Sequence, residues 1–157
     1  MRRCLDTLRS RNKMKGTVLI VDDEKNVCES LAKVLRNEGY EALVAADGIV
    51  AFELYKQRLP DLVLLDLNMP RQNGWATLEK ISKFNPLTPV IIITGRPDQS
   101  ELAAASRVQA LMEKPLDVPL LIEAVRQLIE EPVTKRLDRL AQGEPRTIYP
   151  GSEDERQ

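Results

Sequence analysis

Histidine is absent from the 157 residues of this chain. Its absence excludes a histidine nucleophile, base or metal ligand, and any phosphohistidine carried by the chain itself. No apolar run approaches the roughly 20 residues that a membrane-spanning helix needs. The basic start, MRRCLDTLRSRNKMKG, has no apolar core of the kind that signal peptides carry. We therefore expect a cytoplasmic protein without a membrane contact.

Cysteine is scarce, and the net charge is small. Cys4 and Cys28 have neither metal-ligand nor redox spacing, and two isolated cysteines are typical of a reducing compartment. The formal net charge is -1, so the overall field does not favour a nucleic acid or an anionic membrane as partner. A chain that is 43% hydrophobic and 30% charged has the composition of a soluble domain with a buried core.

Residues 16–131 alternate between two hydrophobic periodicities, which predicts one α/β domain. Between the strands, helical spacing predicts five helices. Asn26 is the predicted N-cap of the first helix and Gly39 its end. The fourth, Ala-rich helix is expected to begin near Asp98 or Ser100, and the fifth covers DVPLLIEAVRQLIEE. The predicted strands are 17–21, 40–46, 61–66, 89–94 and, as the weakest, 110–113. This alternation indicates a doubly wound, five-stranded parallel sheet with helices on both faces.

The two ends of the chain have a different composition from the domain. Residues 1–15 are predicted to be a basic, flexible N-terminal extension that does not bind nucleic acid. Residues 132–157 are predicted to be a C-terminal tail with room for one short helix around TKRLDRLA. Because so short a tail cannot form a core of its own, no output domain is expected.

Polar side chains stand at the predicted carboxyl end of four strands. In open α/β sheets, ligands bind beyond these ends, where the strand order reverses. A single Asp after a strand is usually a cap, but five polar residues in such places predict a site. Asp22 and Asp23 follow the first strand, Asp66 ends the third, Thr94 ends the fourth and Lys114 follows the fifth.

The residue types predict phosphoryl transfer. Carboxylates about 4 Å apart repel one another by roughly 1 to 4 kcal/mol per pair, so either one is protonated or a cation shares the site. Oxygen ligands of this kind suit Mg²⁺. Lys114 and Thr94 are suited to bind phosphoryl oxygens, and the central Asp66 is the best candidate nucleophile.

Four segments resemble the receiver domain of two-component response regulators: VLIVDDE, DLVLLDLNMPRQNGWATLEKI, PVIIITG and MEKPL. The resemblance extends over about residues 16–131. It implies a flavodoxin-like (βα)5 fold with strand order 2-1-3-4-5. It also implies that Asp66 accepts a phosphoryl group from a histidine kinase or a histidine phosphotransfer protein. Such a domain signals to a downstream protein partner through phosphorylation-dependent binding, and it catalyses only its own Mg²⁺-dependent phosphorylation and dephosphorylation.

The same resemblance implies roles for individual residues. Asp22 and Asp23 would form the acidic metal pocket, and Asp23, Asp66 and the backbone carbonyl of Asn68 would ligate Mg²⁺. Thr94 and Lys114 would bind the phosphoryl oxygens and relay the change that phosphorylation causes. The Lys114–Pro115 peptide bond would be cis.

One residue departs from the pattern of the family. Leu111 stands three residues before the lysine, where receiver domains generally have a Tyr or Phe that swings inward on phosphorylation. The readout surface around the fifth strand is therefore expected to differ. The resemblance also allows a homodimer through the fourth helix, fifth strand and fifth helix of the predicted fold.

Two alternative functions stay open at this point. The first is a hydrolase with an aspartyl-phosphate intermediate, which generally has a second Asp two residues after the nucleophile, where this chain has Asn68. The second is a receiver-like interaction module that is not phosphorylated. The presence of all three acidic residues, Asp22, Asp23 and Asp66, argues against this module. Leu111, in place of the usual aromatic residue, is compatible with it.

Overall fold

The computed structural model describes residues 14–67, 69, 74–95 and 108–142, together with the backbone of 147–149. Asn68 and the predicted fourth helix lie outside these residues. Six strands and five helices are described, and they are numbered here in chain order. The strands are β1 (Thr17–Val21), β2 (Glu41–Ala45), β3 (Leu62–Asp66), β4 (Val90–Thr94), β5 (Ala110–Glu113) and β6 (Thr147–Tyr149). The helices are α1 (Lys25–Asn37), α2 (Gly48–Arg58), α3 (Gly74–Phe84), α4 (Val118–Glu130) and α5 (Val133–Gln142).

The strands form one parallel sheet in the order β2-β1-β3-β4-β5-β6. The predicted order 2-1-3-4-5 is confirmed for the first five strands. The switch in direction falls between β1 and β3, so the carboxyl ends of these two strands bound a crevice in which a ligand can bind. The sixth strand was not predicted, and it comes from the segment for which the sequence indicated only a short helix.

Helices cover both faces of the sheet because alternate strand residues point to opposite sides. On one face, α1 and α4 pack over buried residues such as Ile20, Leu64 and Ile91. On the other face, α2 and α3 pack over a second cluster that includes Leu19, Leu65 and Ile92. Strands β3 and β4 are buried along their whole length. Their continuous aliphatic runs follow from burial on both faces.

Helix α1 ends as the sequence indicated. Gly39 follows its last turn with φ at 95°, a backbone conformation that a glycine adopts without strain. Its start differs from the prediction, since Glu24 and not Asn26 is the N-cap, and the Glu24 side chain makes no capping hydrogen bond.

Within the part of the chain that the structure describes, every helix is too short or too polar to cross a membrane.

Candidate phosphoryl-transfer site

The carboxyl edge of the sheet brings together three acidic side chains. Asp22 directly follows β1, Asp66 is the last residue of β3, and Asp23 lies beside them in the loop before α1. One carboxylate oxygen from each residue lies within 4.8 Å of the others. Asp22 and Asp66 are buried, whereas Asp23 is exposed. The opening of the cluster to solvent is therefore on the side of Asp23.

Lys114 supplies a positive charge to this cluster. Its Nζ atom lies 3.6 Å from Asp22 Oδ2 and 3.5 Å from Asp66 Oδ2. Burial lowers the pKa of the lysine, but the carboxylates of Asp66 and Asp22 outweigh burial, so that its pKa is raised overall. Lys114 consequently stays protonated, and it links the two buried carboxylates.

One lysine does not neutralise three carboxylates. Burial raises the pKa of Asp22 from 3.8 to about 6, and repulsion from Asp66 and Asp23 adds to this rise. The Glu24 backbone N–H and Lys114 act in the opposite direction without cancelling it. An excess of negative charge among closely spaced oxygen atoms is the condition in which a hard divalent cation binds. The residues at this edge therefore fit a divalent metal site.

Thr94 lies at the end of β4, next to β3 in the sheet. The pairing register places Asp66 opposite Ile93, one residue before Thr94. The Thr94 side chain is fully buried, and its carbonyl oxygen accepts a 2.9 Å hydrogen bond from the backbone N–H of Lys114. This bond ties the end of β4 to the residue after β5. The Lys114–Pro115 peptide bond is cis, as the resemblance implied.

Two residues outside the predicted site, Cys28 and Glu24, hold Asp22 in place by hydrogen bonds. The Cys28 thiol donates a 3.2 Å hydrogen bond to the Asp22 carbonyl oxygen, and the thiol is buried. Burial also raises the pKa of Cys28 to about 11, so this cysteine is a protonated donor at neutral pH. The Glu24 N–H donates to Asp22 Oδ1 at 2.9 Å, which fixes the orientation of that carboxylate.

Gly74 brings the start of α3 against the end of β3. A Cβ atom at this position would lie 2.7 Å from the Asp66 carbonyl oxygen and 2.8 Å from the Leu67 α-carbon. Both distances are shorter than side chains tolerate, and both involve backbone atoms, which do not yield easily. The next residue, Trp75, is the only tryptophan in the chain, and it is half-buried against the α2–α3 side of the sheet. In the sequence, the sign of the close approach between α3 and β3 was the glycine at the start of the helix.

Leu111 lies in the middle of β5 and is fully buried. It packs in the cluster between the sheet and helices α2 and α3. A side chain in this place is part of the core.

The predicted site residues thus divide into two groups. Asp22, Asp23, Asp66 and Lys114 lie together, and Thr94 closes the neighbouring strand. The backbone carbonyl of Asn68 lies outside the described residues, so its role as a metal ligand stays a prediction. A doubly wound parallel sheet with an acidic cluster and a lysine at its switch point is the arrangement that the resemblance implied.

Comparison with known proteins assigns the family. Residues 18–126 match the response regulator receiver domain, and the chain belongs to this family. Its sequence is 35% identical over 118 residues to the chemotaxis protein CheY of Treponema pallidum, covering 72% of this chain and 82% of that protein. It is 36% identical over 126 residues to the transcriptional regulatory protein ZraR of Klebsiella oxytoca, covering 75% of this chain. Receiver domains are signalling phospho-acceptors rather than enzymes with a separate substrate.

Solved structures agree with this assignment. A CheY-like receiver domain protein from Methanospirillum hungatei superimposes with a TM-score of 0.70 at 26% identity, covering 81% of this chain and 99% of that one. NtrX from Brucella abortus gives a TM-score of 0.70 at 31% identity over 82% of this chain and 29% of its own. The chain spans only 28% of ZraR and 14% of the Vibrio harveyi sensor kinase/phosphatase LuxN. It therefore matches one part of these longer relatives.

Proposed function

We propose that this chain is a phospho-acceptor whose phosphorylation site is Asp66. The observation that carries the proposal is that Asp66, at the carboxyl end of a fully buried strand, lies beside both Asp22 and Asp23 and 3.5 Å from Lys114 Nζ. Family membership supports the same reaction class. The donor is expected to be a histidine kinase or a histidine phosphotransfer protein, and the readout a protein partner that prefers the phosphorylated form.

In the transfer step, one Asp66 carboxylate oxygen attacks the phosphorus atom of the donor. The new P–O bond forms as the P–N bond of the donor phosphohistidine breaks, and the electron pair returns to the imidazole, which then takes up a proton. Lys114, already 3.5 Å from Asp66, is placed to pair with a phosphoryl oxygen after the carboxylate has become an acyl phosphate. Thr94 is expected to bind another phosphoryl oxygen through its hydroxyl group.

The acidic cluster fits Mg²⁺, which would be held by Asp23 and Asp66, with Asp22 in the same pocket and the Asn68 carbonyl as a further ligand. When bound, the ion would offset negative charge on the carboxylates and on the incoming phosphoryl group. The Glu24 N–H and the Cys28 thiol keep Asp22 in a fixed orientation toward that pocket.

The test is to incubate the purified chain with acetyl phosphate and Mg²⁺ and to locate the adduct by mass spectrometry. We expect a phosphoryl adduct on Asp66 that is lost in Asp66→Asn and in EDTA. Asp61→Asn is a matched control, because Asp61 precedes the same strand at its opposite end and accepts a hydrogen bond from the Thr17 N–H. This control should be phosphorylated like the wild type.

Two results would favour the alternatives. No adduct, together with no Mg²⁺-dependent binding of beryllofluoride, would refute the proposal and favour a receiver-like interaction module. Steady release of phosphate from small phosphate esters would favour a hydrolase.

A further inference from the structure

An aromatic cluster lies between helices α2 and α3, and its outer side is open to solvent. The Phe52 ring stacks on Tyr55 of the same helix, with the ring centroids 6.4 Å apart. Phe84, at the end of α3, meets both rings edge-on, at 6.3 Å from Phe52 and 5.6 Å from Tyr55. Tyr55 is buried and Phe52 is half-buried, but Phe84 is 52% exposed. The cluster therefore presents apolar surface that this part of the chain does not cover.

The core of the domain fixes this cluster from below. The Tyr55 and Thr88 hydroxyl groups share a buried 2.6 Å hydrogen bond, which holds the ring on which Phe52 stacks. Tyr55 also packs in the buried cluster between the sheet and helices α2 and α3. A surface whose side chains are ordered beforehand loses less conformational entropy when a partner binds.

Two lysines, one from each helix, lie over the Phe52 ring. Lys56 Nζ is 4.9 Å from the ring centroid and Lys80 Nζ is 5.9 Å from it. At these distances a cation is attracted to an aromatic face. The exposed apolar surface is thus bordered by positive charge.

The charges on this side of α2 and α3 do not balance. Glu53 forms a 2.8 Å salt bridge with Lys56, and Glu79 forms a 2.9 Å salt bridge with Lys83. Within the described part of the chain, no carboxylate forms a salt bridge with Lys80, which is exposed. A carboxylate from outside can therefore pair with Lys80 without breaking a salt bridge of the domain.

The apolar surface continues along α2. Ile49 precedes Phe52 by three residues, so the two side chains lie on the same side of the helix. Ile49 is 65% exposed, and its neighbour Val50 is 45% exposed. Aromatic anchors among aliphatic side chains, with charges at the rim, are typical of protein–protein interfaces.

We propose that Phe52, Lys56, Lys80 and Phe84 form a docking patch for a segment of a partner protein in which aromatic or aliphatic side chains are flanked by carboxylates. The apolar side chains would pack on Phe84 and Phe52, and a carboxylate would pair with Lys80. Charge complementarity selects an acidic segment over a basic one. The inference does not rest on the proposed phosphorylation, because the patch contains no residue of the acidic cluster. Asp66→Asn should therefore bind such a segment like the wild type.

The test titrates three synthetic peptides into the full chain by isothermal titration calorimetry. The probe DDEFLEDD carries an apolar pair between acidic residues, KKRFLRKK reverses the charges, and DDESSEDD removes the apolar pair. We expect DDEFLEDD to bind, and the other two to bind at least about fivefold more weakly. Amide hydrogen exchange with bound DDEFLEDD should show added protection in α2 and α3, and no added protection in α1 and α4.

A charge-reversal pair tests the lysine. Lys80→Glu should weaken binding of DDEFLEDD by about fivefold or more, and it should bind KKRFLRKK more tightly than the wild type does. Lys33→Glu makes the same charge change at an exposed lysine of α1, on the opposite face of the sheet. This control should bind both peptides like the wild type.

An alanine pair tests the apolar part of the patch. Phe84→Ala should weaken binding of DDEFLEDD by about fivefold, whereas Leu137→Ala, at an equally exposed residue of α5, should not. The proposal is wrong if DDEFLEDD binds no more tightly than KKRFLRKK, if a variant and its control have equal effects, or if the added protection lies outside α2 and α3. It is also wrong if the patch binds phosphatidylserine-containing vesicles and no peptide, since it would then be a lipid-binding surface.

Discussion

Asparagine in place of Asp22 should make the metal-free protein more stable at neutral pH. Asp22 is 2% exposed, and burial is the main reason why its pKa rises from 3.8 to about 6. Each unit of pKa shift corresponds to about 1.4 kcal/mol, so ionised Asp22 costs the folded state about 3 kcal/mol at pH 7. Asn carries no charge, and its Oδ1 atom can still accept the Glu24 N–H. We expect Asp22→Asn to raise the free energy of unfolding by up to this amount.

The sign of the pH dependence follows from the direction of the shift. Between about pH 4 and pH 6, folded Asp22 retains a proton that the unfolded chain has released. The contribution of Asp22 to stability therefore falls as the pH rises through this window. The advantage of Asp22→Asn over the wild type should become small at pH 4, where Asp22 is largely protonated in the folded state.

Urea unfolding in EDTA at pH 4 and pH 7, repeated with excess Mg²⁺, would measure these differences. Mg²⁺ should stabilise the wild type more than Asp22→Asn, because a cation that binds the folded chain relieves the charge that the substitution removes. Asp138→Asn, at an exposed residue of α5, controls for the change in net charge. The reasoning fails if Asp22→Asn and the wild type are equally stable at pH 7 in EDTA, or if Asp138→Asn produces the same gain.

Two further predictions concern the backbone and the core. Gly74→Ala should destabilise the fold by about 1–3 kcal/mol and slow phosphorylation by acetyl phosphate, because its Cβ atom would collide with the Asp66 carbonyl oxygen. Gly95→Ala is the control, since no atom of the described residues lies within 4 Å of its Cβ position, and equal effects of both variants in urea unfolding and phosphorylation assays would contradict the packing argument. Leu111→Ala should cost about 2–5 kcal/mol of stability in urea unfolding, as expected for a fully buried leucine. It should leave phosphorylation of Asp66 nearly intact and change partner binding, and a folded variant that no longer accepts a phosphoryl group would refute this assignment.

The sequence alone predicted the elements whose hydrophobic pattern is local. Aliphatic runs followed by a polar residue predicted β1, β3 and β4, and the rule for doubly wound sheets predicted that Asp22, Asp66 and Lys114 lie at one edge. These inferences succeeded because a parallel strand buried on both faces has little freedom in composition. The strand end is then the first place where a carboxylate can reach water.

The start of α1 could not be predicted from local preference. Asn26 is a good N-cap residue, but the helix begins at Lys25. The hydrogen bonds from the Glu24 N–H and the Cys28 thiol to Asp22 fix the chain before and within the first turn. These hydrogen bonds to Asp22 thus take precedence over the capping preference of a single residue.

The sixth strand could not be predicted for a related reason. Thr147–Tyr149 is too short to give a periodic pattern, and its pairing depends on an edge that lies more than thirty residues earlier in the chain. This pairing exists only after the sheet has formed, and no short window of sequence contains both strands.

The contact between Gly74 and the Asp66 carbonyl has a practical consequence. The indole of Trp75 follows on the same helix, so it is attached to the element that rests on Asp66. Since the chain has one tryptophan, its tryptophan fluorescence comes from a single, half-buried ring. This ring is an intrinsic probe with which the proposed metal binding and phosphorylation at Asp66 can be tested in solution without a label.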